Sequence, residues 1–530
     1  MICLRTMSLL WPEEATRRIP MTEQELITEL QGFVKAKVEA HLAAWSLADI
    51  ASLDATEALA RRVIRPVAES CFDGWKAVLE RVALELALSC PSCGRPRKCK
   101  RRAEDPMQVQ VLGVDLGVHK LYLECGHCDA PGVSITRLLT GLSSNDTSTE
   151  LELVASYSSA EHTYKQASQE LEVHHGQAVE RTKVRRMALA VEAEALEYAE
   201  QQRRDALDVV SGEARTVGVE RLMVQGDGGV VRTGRLVECE PGDESYGKTM
   251  AKREGPRRKR EVQNREVITL DVRRPGAVEP SGLDVVVPCE AEEGERAMRM
   301  LATAARSGLG DATLVLGLGD LGSQLPESFD EAFVGYRAIY SGDWKHARNY
   351  VEGAKAVLTG TEVDRWQQGM LDAVWGRDQD RRDALLDEAR ERRVAELPAN
   401  LERCPVQALT SYLRNNWERM QAARFKAMGV DFVSARAEAQ VRERTKRRFA
   451  VAGAWRQENL EGKATLRAII DEGHWPQFCT WVRARRRDRF QSQLMERLEQ
   501  AVLQGRLSSG QVATALGSSE AGAEPVGEAA

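Results

Sequence analysis

The spacing of hydrophobic positions changes period several times along the chain, and each change marks a different kind of segment. Residues 21–88 repeat apolar positions at helical spacing, in ELITELQGFVKAKVEAHLAAW and again in CFDGWKAVLERVALELAL, and predict an N-terminal helical region, 1–88. Two alternating runs follow, MQVQVLGV and HKLYLEC, each with the two-residue period of a half-buried strand. Helical spacing returns in STELELVASYSSAEHTYKQASQELE and QAVERTKVRRMALAVEAEALEYA, read as two helices joined by the polar VHHG. From about residue 216, short β-like runs alternate with turn residues: VERLMVQGD, GVVRTGRLVEC, REVITLDVRR and GLDVVVPCE. The helix EEGERAMRMLATAARSGL, the strand ATLVLGLGD, a short connection beginning LPESF and the strand FVGYRAIYSGD come next. After Asp343 no strand is expected, only helix to about 505, and the Gly/Ala/Ser-rich stretch 506–530 predicts disorder.

At 530 residues the chain is too long for one core, so three or more domains are expected. With 43% hydrophobic and 29% charged residues it falls outside the disordered class. No run approaches the length of a membrane span, and MICLRTMSLLWPEEATRRIP lacks the features of a signal peptide. A cytoplasmic location is therefore expected. The net charge of −6 argues against a nucleic-acid binder until its distribution is considered. Basic residues gather in KREGPRRKR (252–260), RERTKRR (442–448) and RARRRDR (483–489), and phosphate binding follows the local field. Each run can equally be a solvated face.

Eleven cysteines in such a chain are expected to be reduced thiols, and seven are scattered. The other four form Cys90-x-x-Cys93 and Cys125-x-x-Cys128 on either side of the two alternating runs. Such pairs supply four thiolates to a tetrahedral ion once a hairpin joins them, which predicts a structural zinc ribbon over 89–135. Cys99 and His127 are expected to be bystanders. The segment 148–210, with Arg181, Lys183, Arg185 and Arg186 opening its second helix, is compatible with a helix-turn-helix or with a plain helical hairpin.

Gly317-x-Gly319-x-x-Gly322 matches a dinucleotide fingerprint, with Asp343 about where a ribose-binding acid would stand. However, the fingerprint lies on the next-to-last strand, leaving a nucleotide-binding sheet nowhere to grow, and Pro326 leaves little room for a long helix. The order β-β-β-α-β-α-β-α is instead that of a ribonuclease H-like domain. In that fold an acid on the first strand and one ending the fourth stand side by side, here Asp227 and Asp320, with a third supplied by a later helix. Clustered carboxylates need a neutralising cation, which suits two-metal phosphoryl transfer.

The stretch SYLRNNWERMQAARFKAMGVDFVSARAEAQVRERTKRRFAVAGAW resembles bacterial insertion-sequence transposases of the DDE type. The Kra-type group is most similar and the Mutator-like class more distantly so. Tyr412, Asn416, Arg419, Met420, Phe425 and Gly429 match the family's run, and Glu438 falls where its third acid belongs, with Glu443 as the alternative. Arg448 matches a basic residue further along the same helix, and Asp343-x-x-His346 resembles a motif that follows the second acid in Mutator-like enzymes. The chain departs from the family in having Val433-Ser434-Ala435-Arg436 in place of Gly-Ser-Gly, and Ala450 in place of a lysine.

The resemblance implies a multidomain α+β protein. Its ribonuclease H-like catalytic domain would span 216–360 and 428–460, with a helical insertion at 361–427 and C-terminal helices at 461–505. The N-terminal helices, ribbon and helix-turn-helix-like segment would precede it. It further implies a DNA transposase in which Asp227, Asp320 and Glu438 hold catalytic Mg2+ or Mn2+, supported by Asp343, His346 and Arg448, while zinc is structural. Arg257, Arg258, Lys259 and Arg260, in a loop between early strands, together with Lys183, Arg185 and Arg186, would grip DNA. The implied partners are the element's terminal inverted repeats, target DNA and a second copy of the chain, with no membrane. A catalytically impaired, transposase-derived DNA-binding protein and a ribonuclease H-like nuclease are the alternatives.

Overall fold

The structure is a computed structural model describing residues 28, 31–32, 35–36, 39, 69, 71–77, 90, 92–95, 97–112, 114–129, 132–134, 136, 146–211, 218–239, 258–277, 282–286, 294–322, 324–394, 404–440, 455–456 and 459–503. It divides into two compact units, residues 1–191 with 479–530, and residues 192–478. Most of the expected N-terminal helical region and all of the expected disordered tail lie outside the described residues. Among the described residues, no helix is long and apolar enough to cross a membrane.

In the first unit, β1 (Lys98–Val111) and β2 (Val114–Glu124) form an antiparallel hairpin, extended by β3 (Val133–Ser134). Met107, Val109 and Val111 alternate inward with Val114, Leu116 and Val118, and half-buried Phe72 and Trp75 pack on them. β1 begins nine residues before the expected run. Its polar first half carries no apolar period but pairs with β2, across a register shift between Arg102 and Met107. Three helices follow where two were expected: α1 (Thr149–Glu161), α2 (Tyr164–His175) and α3 (Arg181–Ser211), whose residues from Glu192 onward belong to the second unit. The break comes at His162, which is extended, because Thr163 opens α2 with a capping box to Gln166. Gly176, left-handed at φ 63°, then ends α2. Leu151, Ala155, Ala167, Leu171, Val184 and Met187 form the small core of these helices.

In the second unit the element order is β4 (Arg221–Glu238), β5 (Arg258–Arg273), β6 (Gly282–Val286), α4 (Glu295–Arg306), β7 (Leu314–Gly319), α5 (Leu325–Ala332), β8 (Arg337–Gly342) and α6 (Trp344–Lys355). The strands form one mixed sheet in the order β6-β5-β4-β7-β8, antiparallel from β6 to β4 and parallel from β4 to β8. VERLMVQGD and GVVRTGRLVEC are a single strand here, so Asp227 lies inside β4 rather than at its end. The glycines between the two runs read as a turn, yet the ladder to β5 runs unbroken from Met223 to Glu238.

Helices cover both faces. Leu222, Val224, Val315 and Tyr340 join α4, α5 and the helical stretch on one side; Met223, Leu316 and Leu318 meet Phe425 and Val430 on the other. That helical stretch comprises α7 (Val363–Gly376), α8 (Gln379–Arg392) and α9 (Pro405–Asn416); after a 3-10 turn, α10 (Ala422–Ala427) carries Phe425 to the opposite face. The six-residue α11 (Ala435–Gln440) lies against β4 and β5. One short strand was not expected: β9 (Trp455–Arg456) pairs with β4 at Thr233 and Gly234. α12 (Leu460–Asp471) and α13 (Trp475–Leu503) follow.

Candidate functional site

Strand alternation decides which side chains share a face. Gly226, Gly319 and Gly342 are register partners across β4, β7 and β8, so Asp227, Asp320 and Asp343 each follow one of three aligned glycines. Met223, Leu316, Leu318 and half-buried Ile339 all face Phe425 and Val430. Counting by twos from them reaches Asp227, Asp320 and Asp343, which therefore share that face at one end of the parallel strands. The chain leaving Val430 returns over the same face to Ser434 and α11, which brings Glu438 to the acids.

Glu438 is held by a clasp from the far end of β8. Asp343, fully buried, caps α6 by accepting the Lys345 N–H at 2.7 Å. Its other oxygen accepts the Ser434 N–H at 3.1 Å and the Ser434 hydroxyl. The Trp344 N–H donates to Phe432 O at 3.2 Å, and Phe432 and Trp344 both pack against Trp375. Ser434 O in turn accepts the Glu438 N–H at 2.9 Å. The Lys345 ammonium, half-exposed, donates to Glu438 Oε2 at 2.5 Å. That hydrogen bond, with the charges of Glu438, Asp343 and Asp227, holds Lys345 above the usual lysine range.

Asp343, His346 and Glu438 form a group whose potential ligand atoms all lie within 4.8 Å of one another and could hold a metal ion. His346 Nδ1 is 3.6 Å from Asp320 Oδ1, too long for a hydrogen bond, and has no hydrogen-bond partner. Asp227 and Asp320 stand on neighbouring strands but do not join a three-residue group of that kind among the described residues. Asp227 accepts the Gly228 N–H at 2.8 Å and Asp320 the Gly322 N–H at 2.9 Å.

The glycines of the fingerprint serve packing. A Cβ on Gly317 would lie 2.4 Å from Tyr340 and 2.7 Å from Phe329, and one on Gly319 2.7 Å from Tyr340 Oη. α5, with Pro326 in its first turn, has eight residues and no side-chain cap. Around the acids several buried polar atoms lack partners: the hydroxyls of Tyr340 and Tyr412, the hydroxyl of Thr269 opposite Asp227, and the amide of Gln225. Burial raises both phenols well above the ordinary tyrosine range, and the negative charge of Asp320 adds to it.

In the first unit, Cys90, Cys93, Cys125 and Cys128 come together as a group that could hold a metal such as zinc. Cys90 Sγ lies 3.4 Å from Cys128 Sγ, and Cys93 Sγ 3.5 Å from Cys125 Sγ. Four sulfurs bound at about 2.3 Å to a tetrahedral ion sit roughly 3.8 Å apart, so the donor set fits. Burial pushes the Cys90 thiol up, but backbone N–H groups of Ser92 and Cys93 and the neighbouring thiols pull it down to about 6. His127 stands outside the group, its Nδ1 accepting from Arg95 at 2.9 Å, and the Cys99 side chain lies outside the described residues.

The basic candidates fare differently. Arg258, Lys259 and Arg260 are not in a loop: they open β5, paired with Glu238, Val237 and Leu236, because the β4–β5 ladder extends past the apolar run. Arg257, Glu443 and Arg448 lie outside the described residues, as do the side chains of Arg258 and Arg260. Lys183 is partly buried, lowered by desolvation and offset by the charges of Asp146, Asp115 and Glu152. Arg185 is half-buried and Arg186 exposed. In the run 483–489, Arg483 forks onto Glu150 at 2.6 and 2.8 Å, and Arg486 reaches Glu152 at 2.7 Å.

Two residues of the site escaped the sequence reading. Lys345 sits between the noticed Asp343 and His346, where a lysine opening a helix gives no signal. Ser434 was noted only within the departure from Gly-Ser-Gly, and its partner Asp343 is distant in sequence. No protein-family model and no curated protein matches the chain.

Proposed function

We propose that the chain is a DNA transposase of an insertion sequence, with a ribonuclease H-like catalytic domain and the triad Asp227, Asp320 and Glu438. The observation that carries the reading is the alignment of Gly226, Gly319 and Gly342, which sets Asp227 and Asp320 side by side while α11 brings Glu438 to the same face. The strand order β6-β5-β4-β7-β8 supports it, being that of the expected fold. So does the long helical stretch between Asp320 and Glu438.

The donors suit divalent cations: the carboxylates of Asp227, Asp320 and Glu438 face one side of the sheet, although the three do not form a ligand group of the kind made by Asp343, His346 and Glu438. Magnesium or manganese bound there would activate the nucleophile and relieve charge on the leaving oxygen. Asp227 and Asp320 would be its first holders, and the Asp343–Ser434 clasp would keep Glu438 in register with them. Lys345, half-exposed beside them, would face a backbone phosphate. The four cysteines would hold zinc that fixes the β1–β2 hairpin. Arg257 to Arg260, with Lys183, Arg185 and Arg186, would add sequence-independent phosphate contacts that weaken with salt. Two element ends must be cut together, so a dimer or larger assembly is expected on DNA.

The test is cleavage and joining of DNA carrying the inverted repeats that flank the coding region. Wild-type protein with Mg2+ should cut and join these ends, and Asp227→Asn should bind them without cutting. Undiminished cleavage by Asp227→Asn would rule out the assignment. Val433 and Ala435 in place of the family's two glycines favour one second reading, a DNA-binding protein that has lost the chemistry. It predicts binding of the ends with no cutting by the wild type.

A further inference from the structure

We propose that Asp343, His346 and Glu438 form a cation site whose imidazole nitrogen selects a first-row transition-metal ion over Mg2+. The proposal deepens the phosphoryl-transfer reading and rests on it for the use made of the ion; binding itself is measured separately. Three observations carry it.

First, the three side chains approach one another with ligand atoms within 4.8 Å, although they come from two distant parts of the chain. Three ligands bound at about 2.1 Å to one ion stand roughly 3.0–3.6 Å from one another, so closing the site needs them to draw together by about an ångström. Glu438, with 29% of its side chain exposed, has the freedom to make that movement.

Second, the imidazole is uncommitted. His346 Nδ1 is buried and has no hydrogen-bond partner, and its nearest acid, Asp320 Oδ1 at 3.6 Å, stands at a separation that two ligands of one ion adopt. Asp343, by contrast, has one oxygen taken by both donors of Ser434, and only its Oδ1, facing the Lys345 N–H, keeps a lone pair for an ion.

Third, the Tyr412 side chain, 6% exposed, feels the charges of both Asp320 and Asp343, and its hydroxyl has no partner. Buried polar groups are rarely left so, and this one lies within the field of both acids.

Magnesium prefers oxygen ligands, whereas imidazole favours ions such as Co2+, Fe2+ and Zn2+. A mixed nitrogen–oxygen set therefore discriminates among cations in a way that Asp227 and Asp320 alone do not. Lys345 competes with the ion, since its ammonium holds Glu438 Oε2.

The experiment titrates the full-length, zinc-loaded protein with Co2+, read by calorimetry and by the visible Co2+ bands, which separate oxygen–nitrogen ligation from thiolate ligation at the cysteines. The wild type should bind Co2+ with Mg2+ competing only at far higher concentration. His346→Ala should weaken Co2+ binding by about tenfold or more while changing Mg2+ binding little. Lys345→Met, at a half-exposed position that should not disturb folding, should tighten Co2+ binding. Unchanged Co2+ affinity in a folded His346→Ala, or weaker binding in Lys345→Met, would overturn the proposal. Either result would leave the Asp227 cleavage test untouched, and a dead cleavage assay would not alter the binding result.

Discussion

Substituting Ser434 by alanine removes one hydroxyl and no charge, which makes it the cleanest probe of how Glu438 is positioned. In the native protein that hydroxyl donates to the carboxylate of Asp343, both residues being buried to within 2%. A hydrogen bond to a charged group contributes about 1.5–3 kcal/mol, and here no solvent replaces it. The Ser434 and Lys345 N–H groups remain on Asp343, so the loss should be confined to the clasp rather than unfold the sheet. If the segment from Val430 to Glu438 opens locally, that loss accelerates amide exchange by roughly ten- to a hundredfold. The amides to watch are Ser434, Glu438 and Trp344, whose partners are Asp343, Ser434 O and Phe432 O. Hydrogen exchange of Ser434→Ala against wild type measures this directly, with the β4–β5 ladder as internal reference. Exchange unchanged at these three amides would refute the clasp, and equal acceleration across the whole sheet would show a global rather than a positioning role.

Two further outcomes test other parts of the structure. Stripping the metal with a chelator, or Cys93→Ser, should release one zinc per chain and raise amide exchange through β2; an intact hairpin after metal loss would remove the structural role assigned to the cysteines. Lys463 and Glu192 form a buried pair at 2.9 Å, so Lys463→Met should destabilise the second unit by about 3–5 kcal/mol, whereas pairing it with Glu192→Leu should restore most of that in a thermal melt.

Much of the second unit was legible because its strands are apolar and its order of elements survives errors in their boundaries. The break between VERLMVQGD and GVVRTGRLVEC was an error of this kind. Gly226 and Gly228 mark crowding, since a Cβ would lie 3.0 Å from Leu325 at the first and 2.2 Å from Glu266 Oε1 at the second. Glycine in a strand signals close approach as often as a turn, and one sequence cannot tell them apart. Asp227, Asp320 and Asp343 stood out as candidates because each ends or interrupts an apolar run, whereas Glu438 was marked only by the resemblance. What joins them was hidden, because the Asp343–Ser434 and Lys345–Glu438 contacts span more than ninety residues and leave no periodicity. The basic run 483–489 was ambiguous in the same way, since Arg483 and Arg486 pair with Glu150 and Glu152.

The central claim is that neighbouring Asp227 and Asp320 support cation-dependent attack on a DNA phosphodiester. Its most direct test is the rate of Mg2+-dependent nicking of end-containing DNA by wild type and Asp320→Asn at matched DNA occupancy. The account predicts cleavage that vanishes on chelation and falls by several orders of magnitude in the variant with binding intact. Equal rates in the two proteins, or cleavage that persists without divalent ions, would contradict it.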